Sequence, residues 1–493
     1  MTRINISKNT HLKPKKVLKS SYLEHLDTDL GHSDRSMGSI MVGLVFMVGT
    51  FTIVIYALLL TISSQFDFTF RQVAFDQALN IAEAGLNYYR WHLAHAPEDY
   101  QDGTGTAGPY EHEYRDPQGD VVGKFSLEIT PPEPGSSVVT IASSGTPKDY
   151  PGISRTILAQ YGQSSLAKYS FLSDSSLWFG NGITITGPIH SNNGIRMDGT
   201  NVSTITSAKE TYTCGIETGC WPQTKEKPGV WGNGELKELW DFPIPAISFE
   251  GFSVDFSVMR AAAKEEGIYL GPSDAAGYHL IFNADGTVAV NRVLTTTFER
   301  GYTPGEGCKN LYQNIISQEA LATYSLADIS VIFAEDILWV EGVVNGEVMV
   351  AAARFPLGTF ETNIWINDNL TYLTKDGSHT LGLVAQHDIY FAYDIPREYE
   401  VNAAMMAQNG KIIRHHYNWR NCSNLPKAQR NQLTIYGTVI SKEKSYWNFG
   451  SGAGQPASGF VKREITYDQS LQLEPPPYFP TSGDFELMSW IEE

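Results

Sequence analysis

The hydrophobic pattern begins with one long apolar segment. Residues 39–64 read SIMVGLVFMVGTFTIVIYALLLTISS and contain no charged side chain. An α-helix rises 1.5 Å per residue and a bilayer hydrocarbon core is about 30 Å thick, so this segment predicts a membrane-spanning helix. It is longer than the apolar region of a secretory signal peptide, and no small-residue cleavage site follows it before Gln65. We therefore expect the helix to be retained.

The apolar periodicity continues beyond the membrane segment. Apolar residues recur at steps of three and four positions, which predicts an amphipathic helix. They are Val73, Leu79, Ala82, Leu86, Tyr89 and Leu93. Since Pro97 ends the pattern, residues 39–96 are predicted to form one transmembrane and amphipathic helix, about 87 Å long at 1.5 Å per residue. The basic leader, residues 1–38, is expected to stay in the cytoplasm and the rest of the chain to be translocated.

After residue 96 the pattern changes to short strands separated by turns. Residues 97–165 contain alternating runs such as Gly123–Ile129, bounded by Gly, Pro and Asp clusters. This pattern predicts antiparallel strands that pack on the emerging helix as a small β-rich head module. We therefore expect the amphipathic part of the helix to be covered by this module.

Most of the remaining chain consists of strand cores that end at Asn and Gly. They recur at intervals of roughly 19 to 30 residues, which is typical of a parallel β-helix, or solenoid, whose coils stack on one another. The first part is predicted at residues 166–220 and the second at residues 331–474. An antiparallel sandwich is the alternative that the same strands allow.

Two further segments complete the predicted organisation. Residues 221–330 are expected to form an inserted α/β subdomain, with a helix at 256–267 and a hairpin that turns at Asp285 and Gly286. Residues 475–493 begin with PPPYFP and are predicted to be an extended Pro-rich tail that closes the open end of the solenoid. The predicted fold class is α+β, mainly β.

Composition limits the partners and the compartment. The net charge of −18 argues against nucleic acid, because phosphate binding requires clustered Lys and Arg. Two pairs of cysteines are present, Cys214 with Cys220 around a short loop, and the distant Cys308 and Cys422. In an exported protein both pairs can be disulfides. The three possible connectivities remain open at this point, as does the alternative of free buried thiols.

The N-terminal region resembles a known family. Gly38 and Ser39 precede the apolar helix, and an Ala-Glu-Ala segment centred on Glu83 lies on the same helix. Residues 35–95 resemble the start of PilX-type type IV minor pilins. The resemblance implies cleavage by prepilin peptidase after Gly38, methylation at Ser39, and packing of the helix with other pilin subunits and the pilus assembly machinery. Glu83 is either a solvated stalk residue or a salt-bridge partner for a neighbouring subunit.

One departure from the major pilins bears on the role. Major pilins have Glu at the fifth mature position, where this chain has Gly43. The resemblance therefore implies a tip or low-copy subunit. We predict a structural or adhesive surface protein with a single pass through the inner membrane, with membrane lipid and surface glycans as further partners. The alternatives are an uncleaved membrane-anchored scaffold and a membrane-tethered β-helix enzyme that acts on carbohydrate.

No motif for catalysis, cofactor binding or metal binding is present. The sequence has no Gly-x-Ser-x-Gly elbow, Walker loop or His-Glu-x-x-His. We therefore nominate no catalytic, cofactor-binding or metal-ligating residue and predict that the protein is not an enzyme. Some aromatic residues are expected to pack in the core or on a ridge, with stacking on sugar rings as the alternative: Trp339, Trp365, Tyr372, Tyr390 and Tyr393.

Overall fold

The computed structural model describes residues 38–133, 135–249, 253–450, 455–472 and 474–492. The basic leader, apart from Gly38, lies outside the described residues. The chain divides into two compact units, Met1–Gln72 and Val73–Glu493.

One long helix forms the N-terminal part of the described chain. α1 extends over Gly38–His95, which is 58 residues. In the first unit its large apolar side chains, from Met41 to Phe70, are exposed. By length and composition α1 is apolar enough to cross a membrane, since its most apolar stretch of 18 residues has a mean hydropathy of 2.4. The prediction of one long apolar N-terminal helix is confirmed.

In the second unit the C-terminal half of α1 is covered by a five-stranded antiparallel sheet. Its first four strands are β1 Tyr110–Arg115, β2 Val121–Thr130, β3 Val139–Pro147 and β4 Arg155–Ser165. The fifth is the C-terminal strand Thr481–Glu492, which pairs antiparallel with β4. The buried side chains of α1 that face this sheet are Ile81, Ala82, Leu86, Tyr89 and Leu93.

The C-terminal strand corrects one prediction. Residues 475–493 were expected to be an extended tail that closes the solenoid, but residues 481–492 complete the head sheet instead. The physical reason is that the apolar and aromatic residues of FELMSWI, which follow the prolines, favour a strand. Both ends of the second unit therefore meet in the head.

The remaining strands are mostly short. They are β5 Phe171–Ser173, β6 Leu177–Phe179, β7 Thr184–Ile185, β8 Ile189–Ser191, β9 Ile195–Met197, β10 Thr200–Asn201, β11 Ile205–Ser207, β12 Thr211–Cys214, β13 Lys225–Pro228, β14 Val230–Trp231, β15 Trp240–Asp241, β16 Ile268–Leu270, β17 Gly277–Asn283, β18 Thr287–Thr303, β19 Gly307–Ser325, β20 Val331–Ala334, β21 Leu338–Val344, β22 Glu347–Ala352, β23 Ile364–Tyr372, β24 Thr380–Ala385, β25 Ile389–Phe391, β26 Glu398–Ala407, β27 Ile412–Ile413, β28 Asn418–Trp419, β29 Ser423–Asn424, β30 Gln429–Ser441 and β31 Gly459–Thr466. A second α-helix, α2, extends over Ser253–Glu265. Short 3₁₀ helices lie at Leu166–Lys168, Ile216–Thr218, Lys237–Leu239, Leu326–Asp328 and Gln469–Gln472.

Most of these strands pair in parallel ladders. One ladder runs in the order β16, β20, β22, β24, β26, β30, β5, β8, β11, β15, and every step in it is parallel. A second parallel ladder contains β17, β21, β23, β25 and β27. Parallel pairing contradicts the antiparallel sandwich for these strands. The sheets of the described residues are open, so a β-solenoid remains a prediction.

The order within the first ladder differs from the order along the chain. The early strand β5 pairs with the late strand β30. On the other side of β5 the ladder continues with β8, β11 and β15. The chain then crosses, through α2, to β16 at the opposite end of the ladder. Because β16 and β17 extend the same ladders as β20 and β21, they do not belong to a separate inserted subdomain at residues 221–330. That prediction was wrong for these strands, since the hairpin pattern at Asp285 does not reveal the other edge of β17.

The long ladder has apolar side chains on both faces. Ile332, Val350 and Leu383 belong to the main core on one side. Their neighbours along the strands face the other way and pack with α2; these are Val331, Phe333, Ala351, Val384 and Met406. Strands that are buried on both faces read as unbroken apolar runs rather than as alternating patterns. This burial explains runs such as VMVAA in β22.

Candidate functional site

The head sheet lies very close to the backbone of α1. The hydroxyl of Ser143 donates a hydrogen bond to the carbonyl oxygen of Ala82, at 2.7 Å. A Cβ atom added to Gly145 would lie 2.1 Å from the carbonyl oxygen of Ala78 and 2.5 Å from the amide nitrogen of Ala82. A Cβ atom added to Gly85, on the helix, would likewise lie 2.3 Å from the hydroxyl oxygen of Ser143. Glycine is therefore required where the helix meets β3.

The residues predicted for processing and assembly lie along α1. Gly38 and Ser39 are the first two residues of the helix. Glu83 is exposed on the second unit and forms no ion pair with any residue that the structure describes. Cleavage after Gly38, methylation at Ser39 and pairing of Glu83 with a neighbouring subunit all stay predictions.

All four cysteines are paired in disulfides. Cys214 is bonded to Cys220, six residues away, and Cys308 is bonded to Cys422, 114 residues away. The prediction of disulfides is confirmed, and the structure selects one of the three connectivities. The longer bond joins a hairpin tip to a distant loop, so it fixes tertiary structure rather than a local turn.

The longest hairpin in the described part of the chain lies beside β17, and we call it the arm. It consists of β18 and β19, which pair antiparallel from Thr287 with Ser325 to Thr303 with Gly307. Its tip is docked in three ways. Tyr302 exchanges two backbone hydrogen bonds with His416, and its ring stacks on Trp419 at 4.4 Å between centroids. The Cys308 disulfide completes the attachment.

Ion pairs of the buried Lys411 also hold the tip. The ammonium of Lys411 contacts the carboxylate of Glu306 in the arm and, at 2.8 Å, that of Glu443. Burial alone would lower the pKa of Lys411, but the hydrogen bonds to both carboxylates outweigh burial and raise its pKa. Asp388 lies close by and accepts hydrogen bonds from the Tyr390 hydroxyl and the Lys411 amide. Its burial favours a higher pKa, yet its contacts with His387 and these donors hold the pKa below its usual range.

Two adjacent histidines lie beneath the arm tip. His415 is buried among aromatic rings, and burial lowers its pKa to about 3. Burial also lowers the pKa of His416 to about 4. Both rings are therefore neutral in the folded protein at neutral pH. The charged groups that influence His415 are Asp388, Glu306, Lys411 and Lys309.

We predict that acid weakens the fold around His415. An unfolded histidine binds a proton below about pH 6.5, whereas folded His415 does not until about pH 3. Its contribution to stability is thus complete above pH 6.5 and falls as the pH falls toward 3. At pH 5 the loss is about 2 kcal/mol.

His415→Phe tests this prediction because it keeps a ring and removes the titration. Denaturant unfolding of the detergent-solubilised chain should be less pH-dependent between pH 7 and pH 5 in this variant than in the wild type. The matched control is His95→Gln, at an exposed position, which should leave the pH dependence unchanged. An equal pH dependence in His415→Phe and the wild type would contradict the prediction.

A polar cavity of about 460 Å³ lies beside the arm. One wall is formed by residues 313–318 of β19, and the opposite wall by His279, Asn367, Ala392 and Asp394. Gln313 anchors the arm wall. Its side-chain oxygen accepts a hydrogen bond from the Tyr393 amide at 2.7 Å, and its backbone carbonyl accepts one from the Trp339 indole at 2.8 Å.

Some polar atoms of the residues around this cavity are buried and have no hydrogen-bond partner among the described residues. They are Gln313 Nε2, Asn367 Oδ1 and His279 Nε2. Two carboxylates lie nearby. Asp394 pairs with Lys427, and Glu341 accepts a hydrogen bond from the Asn367 amide at 2.8 Å and lies 3.5 Å from His279 Nε2.

The other residues that the sequence nominated have structural partners. Trp339, Trp365, Tyr372 and Tyr393 are all less than 10% exposed, and Tyr390 is half-buried against Trp365. Core packing is confirmed for the four buried residues, and the alternative of sugar stacking is contradicted for them. In the described ranges no group of three or more His, Cys, Asp or Glu side chains is placed to hold a metal ion.

Sequence reasoning missed the polar cavity. Gln313, Asn367 and His279 belong to three different strands and follow no motif or fixed spacing. Only the pairing of β17 with β21 and of β21 with β23, together with the position of the arm, brings them together. No signal in the sequence could have identified this group.

No family model matches the chain, and no curated protein matches it either. Among solved structures the chain is weakly similar to the competence-associated pilin ComZ from Thermus thermophilus. The two are 15% identical, the match covers 85% of this chain and 97% of that chain, and the TM-score is 0.29. The sequence identity and the TM-score are both too low to establish a shared function. The PilX-type assignment stays a prediction.

Proposed function

We propose that this chain is a pilin-like surface subunit that is anchored by α1 and displays the second unit outside the cell. The observation that carries the proposal is α1 itself. It is one helix of 58 residues, apolar and exposed in the first unit and buried against an antiparallel head sheet in the second. A helix that only anchors a protein needs about 20 residues to span the membrane. The additional residues of α1 pack against the head sheet.

The proposed route begins in the inner membrane. The N-terminal flank keeps its basic residues in the cytoplasm, and prepilin peptidase cleaves after Gly38. The exposed apolar side chains of α1 then exchange lipid for the helices of other pilin subunits. Glu83 is available for an ion pair with such a neighbour, since it has none within the described chain.

A low-copy or tip position fits the size and sequence of the protein. Gly43 stands where major pilins have Glu. The second unit is large, since it comprises Val73–Glu493. We infer that its parallel ladders form a β-solenoid, because parallel neighbours follow each other through β20, β22, β24 and β26 with an unbroken register. In this proposal the solenoid is a structural and adhesive surface, and the protein is not an enzyme.

Filament incorporation tests this proposal. We expect the wild-type chain, expressed with a prepilin peptidase and a pilus assembly system, to appear in the sheared filament fraction. Gly38→Leu blocks the cleavage and should leave the protein in the membrane fraction. The control is Gly49→Leu, in the exposed apolar part of α1 with no atom within 4 Å of the added Cβ, which should still be processed.

Two outcomes would contradict the filament role. If the wild-type protein never leaves the membrane fraction, the uncleaved surface scaffold is the better account. If Gly38→Leu reaches the sheared fraction as efficiently as the wild type, cleavage after Gly38 is not part of the route.

A further inference from the structure

A small cavity of about 80 Å³ lies where early and late strands of the first ladder meet. The early strands β5 and β6 contribute to its wall, and so do β30, β31 and the loop that follows β30. Most of this wall is apolar and belongs to the main core, with side chains such as Phe171, Phe179, Ile183, Trp447 and Ile465. A charged group on such a wall needs a partner, because charges are rarely buried unpaired.

The charge on this wall is entirely positive. Among the described residues its ionisable side chains are Lys444 and Arg463. The Lys444 ammonium donates a hydrogen bond to the carbonyl oxygen of Glu217 at 2.6 Å but forms no ion pair with a described carboxylate. Arg463 has neither a side-chain hydrogen bond nor an ion pair within the described part of the chain. In a protein with a net charge of −18, such a wall indicates an anionic ligand.

Arg463 lies on the core-facing side of β31. It pairs with Leu433 of β30, and two residues further on Ile465 pairs with Ile435. These three apolar residues are buried, and paired residues of neighbouring strands point to the same face. Arg463 itself is only partly buried, and none of its side-chain nitrogens is fully enclosed. A ligand in the cavity can therefore reach the guanidinium.

The two cations differ from Lys411, whose charge is compensated within the chain. Two carboxylates outweigh the burial of Lys411 and raise its pKa. Burial lowers the pKa of Lys444 to about 8, and the charge of Glu217 offsets this only in part. Burial alone lowers the pKa of Arg463. An anion in the cavity favours the charged form of both side chains, as the carboxylates do for Lys411.

Size and donor geometry narrow the ligand to a small oxyanion. A single water needs about 10–15 Å³, so the cavity admits a group several times larger. It is well below the range of about 300–1,000 Å³ that is typical of sites for larger organic ligands. A guanidinium presents paired N–H donors that match two oxygens of a phosphate, sulfate or carboxylate group. These groups satisfy both conditions.

We propose that this cavity binds a small oxyanion, with Arg463 as its main ligand and Lys444 as a second source of positive charge. The bound ion joins the early strands to the late ones, because the wall comes from both and Lys444 already contacts the early segment at Glu217. This site goes beyond the proposed function and does not depend on filament assembly.

Isothermal titration calorimetry of the detergent-solubilised full chain tests the proposal, with inorganic phosphate and acetate as probes. The two probes distinguish a tetrahedral oxyanion from a carboxylate, and sodium chloride at equal ionic strength is the reference. We expect at least one probe to give a binding isotherm that chloride does not give.

Arg463→Met keeps a long side chain and removes the charge, so it should increase the Kd of that probe at least about tenfold. The variant should fold, because replacing a poorly solvated charge by an apolar side chain is often neutral or stabilising. The matched control is Lys462→Met, at the exposed neighbouring position on β31 that does not line the cavity. Its Kd should be unchanged.

A second variant and a second measurement keep the test decisive. If Arg463→Met does not fold, Lys444→Met removes the other charge and should also weaken binding. The probe should raise the denaturant midpoint of the wild type but not that of the folded variant. The proposal is overturned if neither probe binds beyond the chloride reference. It is equally overturned if the folded variant binds the probe, or is stabilised by it, as strongly as the wild type.

Discussion

Gly145→Ala is expected to destabilise the head by about 1–3 kcal/mol, toward the upper end of that range. The added methyl group would meet the backbone of α1 at Ala78 and Ala82, and backbone atoms cannot rotate away. Strand backbone accepts alanine more readily than glycine, so the expected loss comes from the clash alone. Hydrogen exchange of β2 and β3 in the solubilised full chain measures the effect, because these strands lose protection when the head opens.

The matched control for this prediction is Gly152→Ala. Gly152 lies in a turn of the same head module and has no atom within 4 Å of a Cβ built on it. It should therefore leave the exchange of β2 and β3 unchanged. If Gly145→Ala were also neutral, the close packing of α1 on β3 would not be a determinant of head stability.

The double substitution of Cys308 and Cys422 by Ser is expected to release the arm tip. The bond closes a separation of 114 residues, and the chain-entropy model gives about 4.7 kcal/mol for a loop near 100 residues. The contacts of Tyr302 and Lys411 remain, so the arm should open locally rather than the whole unit unfold. Exchange should rise most at the amides of Tyr302 and His416, which share two backbone hydrogen bonds.

The shorter disulfide supplies the control for the arm. Replacing Cys214 and Cys220 by Ser opens a loop of only six residues' separation, so its effect on the unfolded chain is smaller. Exchange at Tyr302 should be unchanged in that variant. Equal exchange at Tyr302 in both double variants and the wild type would show that the other tip contacts are sufficient.

The parts of the fold that depend on local pattern were predictable from the sequence. α1 follows from the uncharged segment and the spacing that ends at Pro97, and the turn at Gly286 follows from the Asp-Gly pair. The order of the parallel ladder was not predictable. The pairing of β30 with β5 joins residues that lie more than 250 positions apart in the sequence, and short apolar strands carry little information about which neighbour they choose.

The candidate sites also differ in how far the sequence predicts them. Cysteine pairing was within reach because only three connectivities exist for four residues. Core packing was the favoured prediction for the aromatic residues, but the sequence left sugar stacking open, because burial of Trp339 depends on the arm covering it. The polar cavity is lined by residues of different strands, so the group became visible only in the folded chain.

Mass spectrometry of the N-terminus, on protein purified from its native membrane, tests the central claim most directly. The pilin-like account predicts a mature chain that begins at Ser39 with a methylated amine. A chain that retains the leader through Gly38 would contradict entry into the pilin pathway and would make this protein an anchored surface scaffold.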